Sequence, residues 1–223
     1  MNVISKISRQ KNNEERYNIY LNDKYAFAVD ESTLIKFGLT KGKILDEFEI
    51  SEITYEDEIA KAFNRALSYL SFQMRSEFEV KKKLLDIGFG ESVVLEAIRK
   101  LEKLGFLNDE TYSKALLETK KKTAKKGPRA IQQDLIKKGI DKETQEKVLD
   151  SYTEEEQLNL ALQLAEKAVK ANSKKTPIQI KQKIQDLLLR KGYSFSIVNE
   201  VLDQTKLERE DDEWNELIAL QGE

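Results

Sequence analysis

The chain has 223 residues, 39% hydrophobic and 35% charged, with a formal net charge of −2. It contains no Cys and no His, which excludes disulfides, thiol catalysis, zinc–thiolate sites and any imidazole-based triad. The modest apolar share suits thin helical layers with wide solvated faces better than one thick core. No run approaches the roughly 18 apolar residues of a membrane span, and the opening MNVISKISRQ lacks the apolar core of a signal peptide. A cytoplasmic protein with no membrane association is expected.

Residues 1–54 read as a small β-hairpin module. Tyr17, Ile19 and Leu21 alternate with polar residues, as do Tyr25, Phe27 and Val29, with Asn22-Asp23-Lys24 as the turn between them. Val3, Ile4 and Ile7 supply a candidate third strand. A short helix is predicted from Glu31 to Phe37, ended by Gly38, and Leu39 to Glu49 is predicted to be a short extended piece. Gly38 to Ile44 brushes a phosphate loop, but the glycine spacing is one residue short and Ile44 replaces the magnesium-binding hydroxyl, so a plain turn is favoured.

Helical periodicity begins near Tyr55 and continues to the end. A helix is predicted over Tyr55 to Ser71, with Ile59, Phe63, Ala66, Leu67 and Leu70 on its apolar face. Ser76 and Glu79 form a capping box ahead of a helix facing inward through Phe78, Leu84, Leu85 and Ile87. Gly88 ends it, and Val93, Val94, Ala97, Ile98 and Leu101 line the next helix. Asn108 opens a helix through Tyr112, Leu116 and Leu117 into a lysine run. Pro128 restarts the chain, with Ile131, Leu135 and Ile136 facing inward until Gly139. Asp141 caps a short helix. Thr153 with Glu156, and Thr176 with Gln179, read as two further capping boxes, and the last helix is predicted from Ser194 to Lys206.

Gly88, Gly139 and Gly192 lie 51 and 53 residues apart. Leu84, Leu135 and Leu188 precede them by four positions, and Phe89, Ile140 and Tyr193 follow by one. Repeats of this length imply units that bury their faces against neighbours. The predicted fold is mainly α: three tandem three-helix repeats forming an elongated, curved array, preceded by the hairpin module. Repeats are assigned to 55–107, 108–152 and 153–207, with an acidic tail over 208–223.

Charge is uneven. Lys114, Lys120, Lys121, Lys122, Lys125, Lys126, Arg129, Lys137 and Lys138 face only Glu118 and Asp134 within 114–138, whereas seven carboxylates and the single cation Arg209 make up the charge of 208–223. The lysine run either follows phosphates without reading bases or is a solvated helix end; both readings stand. Helix–Gly–helix units resemble helix-turn-helix pairs, but their second helices open GESVVLE, DKETQEK and SFSIVNE, which are poor major-groove readers. The acidic tail reads as solvated rather than as a metal site. Nothing points to catalytic, cofactor-binding or metal-ligating residues.

At several of these positions the chain resembles the RecX family of recombinase regulators. Leu70-Ser-Phe-Gln-Met-Arg75-Ser76-Glu77-Phe-Glu-Val80, with Leu84 and Gly88, is similar to that family's arginine–serine–glutamate opening. Gly105-Phe-Leu-Asn108-Asp109-Glu-Thr-Tyr112 and Lys126-Gly127-Pro128 with Leu135 and Lys138-Gly139-Ile140 match its next segments. Arg16-Tyr-Asn-Ile-Tyr with Tyr25-Ala-Phe-Ala-Val29 resembles the hairpin extension of longer members. Gln73 stands where many members carry a second Arg, and Ser113 where Ala is usual. The resemblance implies a non-enzymatic monomer that binds the RecA filament on DNA, occupies its groove, and modulates assembly, ATP hydrolysis and strand exchange, inhibition being the leading reading, in DNA repair, recombination and the SOS response. The alternative is RecA-independent DNA binding through Lys114–Lys138. Candidate contacts are Arg75, Lys120, Lys121, Lys122, Lys125, Lys126, Arg129, Lys137 and Lys138, with the partner being RecA or DNA phosphate.

Overall fold

The computed structural model describes residues 2–11 and 14–205, so the tail over 208–223 lies outside the described residues. The chain divides into two compact units, one ending at Asn108 and one beginning at Asp109.

The first unit opens with an antiparallel sheet of order β3-β2-β1-β4, built from β1 (Asn2–Arg9), β2 (Arg16–Leu21), β3 (Lys24–Asp30) and β4 (Ile44–Leu45). The hairpin turns on Asn22 and Asp23, both at positive φ (49° and 64°), as two-residue turns require and as Asn and Asp tolerate. Ile4, Ile19, Val29 and Leu45 bury one face against Leu39 and Ile53. Helix α1 (Glu31–Lys36) follows from the cap Asp30.

The expected extended piece over Leu39 to Glu49 is corrected. Only Ile44 and Leu45 form a strand beside β1, and Asp46 then caps α2 (Glu47–Leu70), well ahead of the predicted Tyr55. The cause is a capping box: the Asp46 carboxylate accepts from the Glu49 N–H at 2.7 Å, and Glu49 accepts from the Asp46 N–H at 3.0 Å. Three helices make the first repeat: α2, α3 (Glu77–Ile87) and α4 (Glu91–Lys103). All five predicted core positions of α4 are buried. On α3 the buried pair is Val80 and Leu84, spaced i,i+4. Phe78, Leu85 and Ile87 are exposed, because this short helix meets neighbours along one narrow stripe only.

The second unit holds α5 (Asp109–Ala124), α6 (Pro128–Lys137) and α7 (Lys142–Asp150), then α8 (Glu154–Ala171), α9 (Pro177–Lys191) and α10 (Phe195–Gln204). Tyr112, Leu117, Ile131, Leu135, Val148 and Tyr152 form one core; Ala161, Ile184, Leu188, Tyr193, Val198 and Val201 belong to another. Ile136, predicted to face inward, is exposed.

The repeat is visible in hydrogen bonds. The N–H groups of Phe89, Ile140 and Tyr193 donate to the carbonyls of Leu84, Leu135 and Leu188 at 3.3, 3.2 and 3.1 Å. The N–H groups of Gly88, Gly139 and Gly192 donate to Leu85, Ile136 and Leu189. This is the same Schellman closure three times, and it needs a left-handed residue at the glycine, where φ is 105°, 74° and 88°.

Candidate partner-binding surface

The lysine run lies on the last turns of α5 and the link to α6. Most of its charge meets the chain itself. Lys121 is buried, at 7% exposure. Its ammonium donates to Glu118 at 2.8 Å and to both Glu156 oxygens at 3.0 Å, and it sits 4.9 Å from the Tyr152 ring centroid. Burial works against its charge, but the hydrogen bonds and attraction of Glu118 and Glu156 outweigh it and raise the pKa. The predicted capping box at Thr153 is therefore half made. Thr153 accepts from the Glu156 N–H at 3.3 Å, while the Glu156 carboxylate turns to Lys121.

The other predicted contacts divide into two groups. Lys126 pairs with Asp134 at 2.6 Å, Lys120 approaches the same carboxylate at 3.8 Å, and Lys125 donates to Gln163. Lys122, Arg129 and Lys137 are exposed, and Lys138 is half-buried at the end of α6. The eight candidates within 120–138 do not form one free cationic face.

The same link joins the second repeat to the third. Gly127 donates to the Lys191 carbonyl at 2.8 Å and Arg129 N–H to the Gly192 carbonyl at 3.2 Å. Lys191 Nζ reaches the Ala124 carbonyl at the end of α5 at 2.8 Å, where a cation complements the helix dipole. The hydroxyls of Tyr152 and Tyr193 donate to the carbonyls of Lys126 and Lys125 at 3.3 and 3.1 Å. Burial raises both phenol pKa values. The backbones touch so closely that a Cβ on Gly127 would stand 2.6 Å from Gly192, and one on Gly192 would stand 2.4 Å from Ala130 N.

Arg75 precedes α3. Its guanidinium stacks 4.4 Å from the Tyr69 ring centroid and lies 3.7 Å from Glu79. The Gln73 side chain, with its oxygen turned toward Arg75, accepts from Nη2 at 2.7 Å. Glu77 sits at the first position of α3, where burial, and then the charge of Glu102, raise its pKa. Around Arg75, Phe72 (85% exposed), Met74 and Phe78 stand in solvent. Sequence reading placed Phe78 in the core and passed over Phe72 and Met74. The available signal was their position in a link too short to fold them inward.

A second buried ion also escaped the sequence reading. Asp57 of α2 is 2% exposed. It accepts from Arg16 at 3.0 Å, from Lys61 at 2.7 Å and from the Asp30 N–H at 3.0 Å, while Arg16 also donates to the Ala28 carbonyl at 2.9 Å. The outward-facing backbone of edge strand β3 is thereby closed by α2, which protects the edge from pairing with another chain.

Among the described residues, no cluster of carboxylates suits a metal ion, and no helix is long and apolar enough to cross a membrane. Comparison with known proteins is direct. Residues 2–46 match the regulatory protein RecX N-terminal domain, and 62–101, 108–149 and 154–202 match the first, second and third RecX three-helix domains. Regulatory protein RecX of Bacillus subtilis is 43% identical over all of this chain and 84% of its own length; that of Bacillus cytotoxicus is 37% identical over the same shares. A crystal structure of regulatory protein RecX aligns with a TM-score of 0.80 at 40% identity, covering 92% of this chain and all of the other. The structure of RecX from Lactobacillus salivarius aligns at 0.64 and 37% identity, covering 67% of this chain and 99% of its own. With all four domains matched in order and a relative 43% identical over the whole of this chain, the chain belongs to the RecX family of regulatory proteins.

Proposed function

We propose that this chain is a non-enzymatic cytoplasmic regulator of the RecA recombinase. It binds as a monomer in the groove of the RecA–DNA filament and inhibits filament assembly, ATP hydrolysis and strand exchange, in DNA repair, recombination and the SOS response. The carrying observation is the ordered match of all four RecX domains across the chain.

The link before α3, with the first turn of α3, supports a protein partner. Phe72, Met74 and Phe78 are exposed apolar side chains around an arginine already held in place by Tyr69 and Glu79. Aromatic residues, Met and Arg are the types enriched where protein partners meet. The test is a RecA ATPase and strand-exchange assay with the protein at sub-stoichiometric and equimolar levels. Dose-dependent loss of both is expected, and no effect at any level would sink the proposal. The double variant Phe72→Ala, Phe78→Ala is expected to inhibit more weakly at an unchanged melting temperature.

The alternative, RecA-independent DNA binding through Lys114–Lys138, draws little support from a run in which Lys120, Lys121 and Lys126 already meet the chain's own carboxylates. Reversing Lys121 would confound binding with folding. The informative variant changes the exposed Lys122, Arg129 and Lys137 to Ala, and filter binding across a salt series reads the outcome.

A further inference from the structure

Residues 167–185 contain six lysines and no Asp or Glu. The lysines are spread over three pieces of structure: Lys167 and Lys170 on α8, Lys174 and Lys175 in the turn, and Lys181 and Lys183 on α9. Lys167 and Lys170 are spaced i, i+3 on one side of α8, and Lys174 follows in the turn beyond its end. All three are exposed, as is Lys183. Helices α8 and α9 share a core through Ala161, Ala165, Ile180 and Ile184, so the end of α8 and the start of α9 lie side by side.

Two observations set this surface apart from the lysine run of α5. Among the described residues, Lys167, Lys170, Lys174 and Lys175 meet no carboxylate within ion-pair distance, whereas Lys120, Lys121 and Lys126 do. Lys175 instead has Lys183 as its neighbour, and Lys183, with a smaller part from burial, lowers the Lys175 pKa. Two ammonium groups this close are mutually repelling, and a polyanion relieves the repulsion.

We infer that the α8–α9 end of the third repeat is a binding surface for the phosphodiester backbone of nucleic acid. The chemistry selects phosphate rather than bases. No aromatic residue lies between Lys167 and Gly192 to stack a base, so binding there is independent of sequence. Lys167 and Lys170 are about 4.5 Å apart along the α8 axis and Lys174 follows in the turn, a reach on the order of two successive phosphates along a strand. This inference does not rest on the RecA reading and is tested without that protein.

The experiment is fluorescence anisotropy of the full chain with a labelled 40-nucleotide single strand, and with its duplex, from low to physiological salt. Wild type is compared with Lys167→Ala, Lys170→Ala, Lys174→Ala, Lys175→Ala combined, and with Lys122→Ala, Arg129→Ala, Lys137→Ala combined. Circular dichroism melting controls for folding. The four-lysine variant is expected to bind at least about tenfold more weakly at low salt and to lose about 2 to 3 from the log–log salt slope on single strands. The three-residue variant is expected to stay within about threefold of wild type. No binding by wild type, equal binding by the four-lysine variant, or loss confined to the three-residue variant would each overturn the inference. So would a lower melting temperature of the four-lysine variant with unchanged binding, which would point to the chain's own carboxylates at 208–223 as the occupant. Vesicles containing phosphatidylserine form the last arm: lysine-dependent binding to them, without binding to DNA, also overturns it.

Discussion

The two units meet the same problem with opposite signs. In the first, a buried anion, Asp57, draws cations from β2 and α2 and ties the sheet to the first repeat. In the second, a buried cation, Lys121, draws anions from α5 and α8 and ties the second repeat to the third. They differ in what surrounds the central charge. The Arg16 side chain is only 17% exposed and Asp57 also holds a backbone N–H, whereas Glu118 and Glu156 are about half exposed. A buried ion is costly to remove when its partners stay in the dry interior, and much less so when they can return to water.

That contrast orders the expected effects. Asp57→Ala strands Arg16 and the Asp30 N–H, and is expected to cost about 3 to 5 kcal/mol in urea unfolding. A loss below about 1 kcal/mol would show that water reaches the site. Lys121→Met fills the same volume and lets both glutamates rehydrate, so about 1 kcal/mol is expected. Equal costs at the two sites would remove the distinction between them.

Ser113 sharpens the picture from the uncharged side. It is fully buried in α5, and its hydroxyl has no hydrogen-bond partner. Ser113→Ala, which removes the orphan group and improves helix propensity, is expected to stabilise by about 1 kcal/mol, read as a shift in urea midpoint at constant slope.

Acid titration separates the units with the smallest effects. Glu110 accepts from Lys114 and from Lys147 on α7, which together hold its carboxyl at about 2. A depressed carboxyl contributes stability above its ordinary pKa that fades as pH falls from about 4.5 towards 2. Glu77 in the first unit has a raised pKa, so protonation favours the folded form and acidification adds stability as pH falls to about 4.5, above the window in which Glu110 acts. Glu110→Gln is expected to flatten the acid-side loss, and Glu77→Gln to remove the opposing gain. Urea midpoints between pH 3 and pH 6 give both slopes.

The repeat was legible because it is written locally. A glycine, a leucine four positions earlier and an apolar residue one later are what a Schellman closure demands, so Gly88, Gly139 and Gly192 gave it away. The hairpin was equally plain from alternation and from Asn22-Asp23. What escaped depended on partners distant in the chain. Glu156 looks like a capping residue until Lys121 arrives from 35 residues away. Asp57 is one carboxylate among several in Tyr55-Glu-Asp-Glu until Arg16, 41 residues earlier, selects it. The lysine run of α5 caught the eye because it is contiguous. The lysines of 167–183 are interrupted in sequence and gather only when α8 and α9 pack.

The close approach of Gly127 to Gly192 bears on the order in which the molecule assembles. Each Schellman closure forms within one repeat, but Lys191 to Ala124 and Tyr193 to Lys125 join residues 67 and 68 positions apart. Contacts of such separation carry a loop-closure cost and form after the local helical units. Gly127 has an ordinary φ of −77°, so Gly127→Ala adds only the clash. A loss of about 1 to 3 kcal/mol is expected, nearly all of it as faster unfolding, with the folding limb of the chevron unmoved. The glycine contact is in this sense a latch: it governs how long the second and third repeats stay docked, and not how quickly either one forms.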